Sequence, residues 1–384
     1  MEVKQVYEFV NTATSEFIGE ESVIKEDLSN SVDVGTAVFN AGAFDKYVKS
    51  LVNHIGKVQM VNRAYKGSAP SVLMDSWEYG SVVEKIHSEM PEAVENESWE
   101  LTDGASYDPN VFHQPKVEVK FFNKMTTFEL DRSITERQVK QSFSSATQLN
   151  SFISMLFNEV EKSLTVKTDG LIMRTINNMI AETVYNQYSG GAITGAGGTR
   201  AINVLARYNS QYSKNLSAQD AILDPDFIRY AAYLMSLYTD RLTRVSTLFN
   251  VGGKQRFTPK ELQHVVMLSE FRRAADVFLQ STTFHEEYTK LIEAETVPFW
   301  QGSGTDYAFS STGKVDVATA SGHNQTVTGV LGCIWDRDAL GVNCLNSRVN
   351  TVYNGKAEFT NYFYKRDARY FNDLNENFIV FFAA

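Results

Sequence analysis

The chain has 384 residues, 43% of them hydrophobic and 21% charged, a globular balance long enough for two or three packed units. Its 46 acidic residues outnumber 36 basic ones, and the net charge of −10 argues against tight binding of nucleic acid driven by counterion release. Cys333 and Cys344 form neither a CxxC pair nor a disulfide framework, which suits a reducing compartment, and neither a secretion signal nor a membrane-spanning run is read.

Residues 1–36 are polar and acidic without clear periodicity, and read as an extended arm or as terminal disorder. Phe39, Phe44, Tyr47, Val48, Leu51, Val52 and Ile55 fall at helical spacing, and Gly56 is a natural stop, which predicts a helix over 37–56. From 57 to 132, strand-like runs flank an acidic middle. The incoming run holds Val72-Leu73-Met74, Trp77, Tyr79 and Val82-Val83. The returning run, Lys116 to Phe121, alternates polar and apolar residues. Between them, Glu84 to Asp108 carries eight carboxylates and one lysine. An arm of about 18 residues would span ~60 Å, well beyond the ~21 Å radius of gyration of a compact chain this long. Such a ribbon either protrudes onto a neighbouring copy or folds back on its own domain; the sequence leaves both open.

Residues 145–188 give the strongest helical pattern. Ser145 and Gln148 have capping-box spacing, and Leu149, Phe152, Ile153, Leu156, Phe157, Val160 and Leu164 make one apolar stripe. Asp169-Gly170 is expected to bend or interrupt it before Leu171, Ile172, Ile176, Met179, Ile180 and Val184 resume. Gly190 to Arg200 reads as a glycine-rich loop. A helix is expected from Asp226 to Phe249, opened by Pro225. His264 to Leu268 reads as a buried strand, followed by helices at Phe271–Leu279 and Phe284–Ile292. Residues 302–328 read as a surface hairpin or loop, and Val330 to Trp335 as a buried strand. Strands close the chain at 357–364, 369–371 and 378–382.

Motifs for chemistry fail on inspection. Gly195-Ala196-Gly197-Gly198 lacks the Lys and Ser/Thr of a phosphate loop. His285-Glu286-Glu287 lacks the second histidine of a helical zinc motif, and His54, His87, His113, His264 and His323 are scattered. Asp336-Arg337-Asp338 resembles a metal-binding pair but reads as the start of a helix after a strand. The cysteines have no nearby histidine, and the acidic run does not fit a calcium loop. No catalytic, cofactor-binding or metal-ligating residue is assigned.

The fold class is α+β, and the order of elements carries a resemblance: arm, short helix, long acidic ribbon, long helix, mixed domain, returning strands. Leu51-Val52 with Ile55-Gly56, Phe112-His113, Phe152-Ile153 to Phe157, and Asn361-Tyr362-Phe363-Tyr364 are the matching stretches. In that order the chain resembles the Hong Kong 97 capsid fold, and most resembles the head proteins of short-tailed phages of the phi-29 type. The resemblance implies an N-terminal arm (1–36), an N-terminal helix (37–56), an extended loop (57–132) across the adjacent subunit, and a peripheral domain with a spine helix (133–188). An axial domain (189–350) and returning peripheral strands (351–384) would follow. It implies a self-assembling, non-enzymatic major capsid protein of an icosahedral or prolate head. Its partners would be its own copies in hexamers and pentamers, a scaffolding protein, a portal protein and weakly held double-stranded DNA, with no membrane. It would reside in the virion after assembly in the bacterial host cytoplasm. The immunoglobulin-like domain of the phi-29 type is not expected within this chain. Lys66 and Lys85 lie in or near the loop, but no crosslinking partner is identified for them. The competing readings are an acidic-cleft hydrolase and another virion structural protein, such as a tail component.

Overall fold

The structure is a computed structural model that describes residues 69–73, 83–135, 146–190, 193, 195, 197–280, 291–301, 308–319 and 321–384, with only the backbone described for 97, 146–158, 280 and 346. The expected arm, the helix over 37–56, and Lys66 lie outside these residues, as does most of the helix expected at 284–292.

In chain order the elements begin with β1 (Val83–Ser88), β2 (Val117–Phe122), β3 (Met125–Thr135), α1 (Ala146–Gln187) and β4 (Ala201–Asn203). Next come α2 (Val204–Tyr212), α3 (Ala218–Leu223), α4 (Pro225–Leu242), β5 (Gln263–Leu268), α5 (Ser269–Gln280) and β6 (Glu295–Val297). The chain closes with α6 (Phe309–Thr312), β7 (Val315–Ala318), β8 (Asn324–Val327), β9 (Val330–Asp336), β10 (Leu340–Asn354), β11 (Phe359–Asn372) and β12 (Phe378–Phe382). They fall into two compact units, Met1–Trp77 with Met125–Arg174 and Val342–Arg369, and Glu78–Lys124 with Thr175–Gly341 and Tyr370–Ala384.

The first unit is built on a three-stranded sheet in the order β10-β11-β3. Ile134, Val160, Leu164, Tyr362 and Tyr364 form its core, with Phe128, Leu130 and Val349 packed against them. Two separate closing strands, 357–364 and 369–371, are expected from the sequence, yet β11 runs unbroken through Lys365-Arg366-Asp367. Each of those polar residues finds a cross-strand partner. Lys365 pairs with Glu129 at 3.2 Å, Arg366 Nε donates to Ser347 Oγ at 3.2 Å, and Thr127 Oγ1 donates to Asp367 at 2.7 Å. A paired charge inside a strand costs little, so the apolar gap does not end it. The strand β10 has no counterpart in the sequence reading.

The second unit is built on a five-stranded mixed sheet in the order β4-β12-β9-β5-β6. Every residue of β9 and β12 is buried, the signature of strands covered on both faces. Trp335 lies stacked between His264 and Phe378, with ring centroids 4.9 and 5.6 Å away. Gly329 sits where the chain end returns. Its φ is +64°, and a Cβ there would meet the Ala383 carbonyl oxygen at 2.1 Å.

Among the described residues the other apolar patterns produce the elements they predict, with three further corrections. Asp169-Gly170 does not interrupt α1, which is continuous from Ala146 to Gln187. The helix expected from Asp226 to Phe249 ends at Leu242. Ser246 and Arg256 exchange backbone hydrogen bonds of 2.9 and 3.0 Å, and the Leu242 carbonyl accepts from Thr258 N–H at 2.7 Å, which draws the chain into a loop. Asp336-Arg337-Asp338 opens no helix. Asp336 Oδ1 accepts from Asp338 N–H at 2.9 Å and its carbonyl from Ala339 N–H at 2.7 Å, a turn joining β9 to β10. At the start of α4, Asp224 does cap as a helix start should, accepting from Asp226 and Phe227 N–H at 2.8 and 3.0 Å ahead of Pro225.

β12 lies between β4 and β9, so its loss would leave β4 without a partner and β9 paired on one edge alone. A full-length chain carrying Phe381→Ala, which removes a fully buried ring edge-on to Tyr238 at 5.6 Å, should lose about 3–5 kcal/mol of stability in a denaturant titration. A chain ending at Asn377 should not fold; a soluble product with a cooperative melt would contradict this placement of β12.

Candidate functional site

The acidic ribbon is where chemistry-bearing side chains converge. β1 and β2 pair antiparallel, with Lys85 opposite Lys120 and His87 opposite Glu118. Alternation sends Lys85, His87, Glu118 and Lys120 to one face. The other face carries Ile86, Val117, Val119 and Phe121, and these are the exposed ones, at 63, 55, 42 and 65%. A strand alternating in this way is expected to bury its apolar face; here the charged face turns toward the rest of the unit. The paired strands are six residues each, about 20 Å, so the long continuous arms expected from the sequence are not found among the described residues. From Ser88 to Val117 every residue whose side chain is described is exposed, including Trp99 at 94% and Phe112 at 82%.

The charged face meets the turn between β11 and β12. That turn is fixed by backbone bonds, from Asp373 N–H to the Ala339 carbonyl at 2.7 Å and from Gly252 N–H to the Leu374 carbonyl at 2.9 Å. Asp373 is fully buried, and both its cations come from the ribbon: Lys120 Nζ lies 3.1 Å from Oδ1 and Lys85 Nζ 3.5 Å from Oδ2. Lys85 also donates to the Asp338 carbonyl and sits 4.7 Å over the Phe371 ring. Next to this pair, Glu376 Oε1 faces His87 Nε2 at 3.2 Å and Arg256 Nε at 3.5 Å. Farther out, Lys254 bridges Glu118 at 2.9 Å and Glu89 at 3.6 Å, and Asn375 Nδ2 donates to Glu118 at 3.1 Å.

Burial pushes the Asp373 carboxyl up, but the Asn375 N–H, Lys85 and Lys120 outweigh it and hold the group below its ordinary range. Burial raises Glu376 against the pull of Arg256 and Lys85. His87 is held below 6.5 by burial and then by Arg256. His87 Nε2, Asp373 Oδ2 and Arg256 Nε are buried without a hydrogen-bond partner.

His87, Asp373 and Glu376 offer ligand atoms within 4.8 Å of one another, a nitrogen-and-carboxylate set that could serve a divalent ion. Lys85, Lys120 and Arg256 already neutralise the two carboxylates, and an added divalent charge would be repelled by all three. The arrangement is a charge clamp by its own electrostatics, with the ribbon as one jaw.

The other sequence candidates do not converge. Gly195 and Gly197 have positive φ in a loop. His113 is exposed, His264 stacks on Trp335 with Glu295 at 3.6 Å, and His323 stacks on Tyr185 at 4.2 Å. Asp336 is buried and accepts from Thr258 Oγ1 at 2.7 Å. Burial pushes the Cys333 thiol far up and raises Cys344. His54 and His285-Glu286-Glu287 lie outside the described residues. Sequence reasoning missed Asp373 and Glu376 entirely and set His87 aside as isolated. The available signal was the Lys85-x-His87 and Glu118-x-Lys120 alternation, but nothing local ties it to a turn more than 250 residues away. Among the described residues, no helix is long and apolar enough to cross a membrane.

A family model, Phi29-like phage major capsid protein, matches residues 7–382. No curated protein matches the sequence. Among solved structures the chain is similar to the capsid of Staphylococcus phage Andhra, at 10% identity over 84% of each chain with a TM-score of 0.49. It is also similar to the mature capsid of bacteriophage PhiM1, at 9% identity over 84% of this chain and 87% of that one (TM-score 0.43). The capsid of Cyanophage P-SCSP1u is similar at 9% identity over 83% and 88% (TM-score 0.45).

The pH response of the clamp follows from His87, which faces Glu376, Arg256, Asp373, Lys85 and Glu118. A detached ribbon takes up a proton near pH 6.5 and a docked one only lower, so docking weakens as pH falls below about 6.5. Glu376, raised by burial, works in the opposite sense nearer its own range, so the His87 effect is cleanest between about pH 7 and 6. In a histidine-selective NMR titration His87 should show a midpoint below 6.5, moving upward in Arg256→Gln; an unmoved midpoint would refute the electrostatic assignment.

Proposed function

The chain belongs to the Phi29-like phage major capsid proteins, and from that premise we propose how it builds a head. As such it is a structural protein of the phage head shell and a component of the virion. In our reading copies join through the ribbon. Residues 57–132 act as the extended loop lying on the adjacent subunit, 133–188 as the peripheral domain with its spine helix, and 189–350 as the axial domain. Residues 351–384 are the returning strands, of which β11 pairs within the first unit and β12 within the second, behind an arm at 1–36 and a helix at 37–56. The observation that supports this is the outward apolar stripe Ile86, Val117, Val119 and Phe121, continued by exposed Trp99 and Phe112.

Exposed apolar patches of this kind mark association surfaces. Fully burying each such side chain contributes roughly 1.5–3 kcal/mol before the costs of association. One such contact is weak, and a closed shell repeats it many times. In this reading hexamers and pentamers form with a scaffolding protein and a portal protein in the bacterial host cytoplasm. Double-stranded DNA then packs against a wall that does not grip it, consistent with the acidic net charge. The subunit works without a catalytic centre, through the Hong Kong 97 type of fold expected from the order of its elements.

The double variant Ile86→Ser with Phe121→Ser should fold, with a thermal melt close to wild type, because both side chains are solvated in the single chain. Co-expressed with the scaffolding protein, it should give at least tenfold fewer closed particles by electron microscopy. Normal shells would remove the apolar stripe from the interface, and a wild-type chain that stays monomeric under every assembly condition would count against the shell role itself.

A further inference from the structure

We propose that the ribbon is a hinged arm held to its own subunit by charge: Asp373 is the clamp's fixed anion, Lys85 and Lys120 are its removable cations, and salt or loss of Asp373 frees the arm while the central sheet stays folded. The proposal does not depend on what the arm later touches.

The contacts form a ladder along the ribbon. Nearest the root, Phe122 meets Phe371 with ring centroids 5.2 Å apart, an aromatic contact that serves as a pivot. The next rung is Lys85 and Lys120 on Asp373. Beyond it His87 faces Glu376, and Glu118 meets Lys254 and Asn375. Past the pivot, the inward residues of both strands are charged or ionisable, so opening exposes little apolar surface. The two carboxylates of the turn differ in what opening does to them. Glu376 keeps Arg256, which belongs to the same body of the unit. Asp373 loses both its cations together, because both sit on the ribbon.

Asp373 Oδ2 and His87 Nε2 face Lys85 and Glu376 without hydrogen-bond geometry, so these are charge contacts that water can replace on opening. The β1–β2 pairing is internal to the ribbon, so the arm can swing as one piece.

Lysine footprinting on the full-length, unassembled chain tests this. Lys85 and Lys120 have side chains 14 and 26% exposed, whereas Lys116, at 81%, serves as the internal reference. With an amine-acylating reagent read by mass spectrometry at low salt, Lys85 and Lys120 should react at least fivefold more slowly than Lys116. In 1 M sodium chloride, and in Asp373→Asn at low salt, they should approach the Lys116 rate. Cys333, buried in β9, reports that the sheet is intact by staying unreactive to a thiol reagent. Should Asp373→Asn expose Cys333, Lys85→Gln replaces it, with Lys120 labelling as the readout. Ile86→Ser, on the opposite face, should leave the Lys85 and Lys120 rates unchanged. Slow labelling that persists through both high salt and the clamp variant, or acceleration by Ile86→Ser alone, would overturn the proposal.

Discussion

A two-stranded ribbon has two faces, and this chain turns the charged one toward itself. Everything distinctive about the molecule follows from that orientation. The buried carboxylate of Asp373 needs cations, and the ribbon delivers two from opposite strands at matched register. Satisfying Asp373 fixes the pleat, and the pleat then fixes Ile86, Val117, Val119 and Phe121 on the outside. A slip of one residue would reverse both faces, leaving the buried anion without its lysines.

Much of the fold was legible where the signal was local. The stripe from Val160 to Val184 marked α1, and the runs Val330–Trp335 and Phe378–Phe382 marked the two fully buried strands of the second unit. The alternation from Lys116 to Phe121 marked β2. Failures came where partners far along the chain overrode local pattern. Lys365-Arg366-Asp367 looks like a break, yet Glu129, Ser347 and Thr127 pair with it and the strand continues. Asp336 looks like a helix cap, yet Thr258, 78 residues earlier, holds its other carboxylate oxygen and it closes a turn. The clamp was illegible for the same reason. His87 gained meaning only beside Glu376, and the facing of β2 only beside Asp373.

The order of elements was a different kind of signal. No stretch quoted for the resemblance is distinctive alone, and Leu51 to Gly56 lies outside the described residues. Phe112-His113 proves to be exposed in the ribbon, while Asn361-Tyr362-Phe363-Tyr364 lies in β11, where Tyr362 and Tyr364 enter the core of the first unit. One of these stretches is buried in a core and the other is solvated, so they share no single structural role. That is why their sequence order carried more than their identities.

The magnitudes also decide which contact yields when the two faces of the ribbon compete. Ion pairs with exposed partners contribute about 0–1 kcal/mol each, and a buried pair loses much of its attraction to desolvation. Asp373 is the buried case: its lysines are a net gain mainly because an unpaired buried anion would be worse. Covering the apolar face contributes ~1.5–3 kcal/mol for each side chain fully buried, and four such side chains lie on the paired strands alone. A neighbouring copy that buries this stripe can therefore outweigh the clamp and set the angle of the arm. In the proposed reading the clamp decides only where the arm rests before a neighbour arrives. On that same reading, a subunit whose weaker attachment is to itself and whose stronger one is to its neighbour is biased toward assembly, yet its arm is still held in a defined position while it waits.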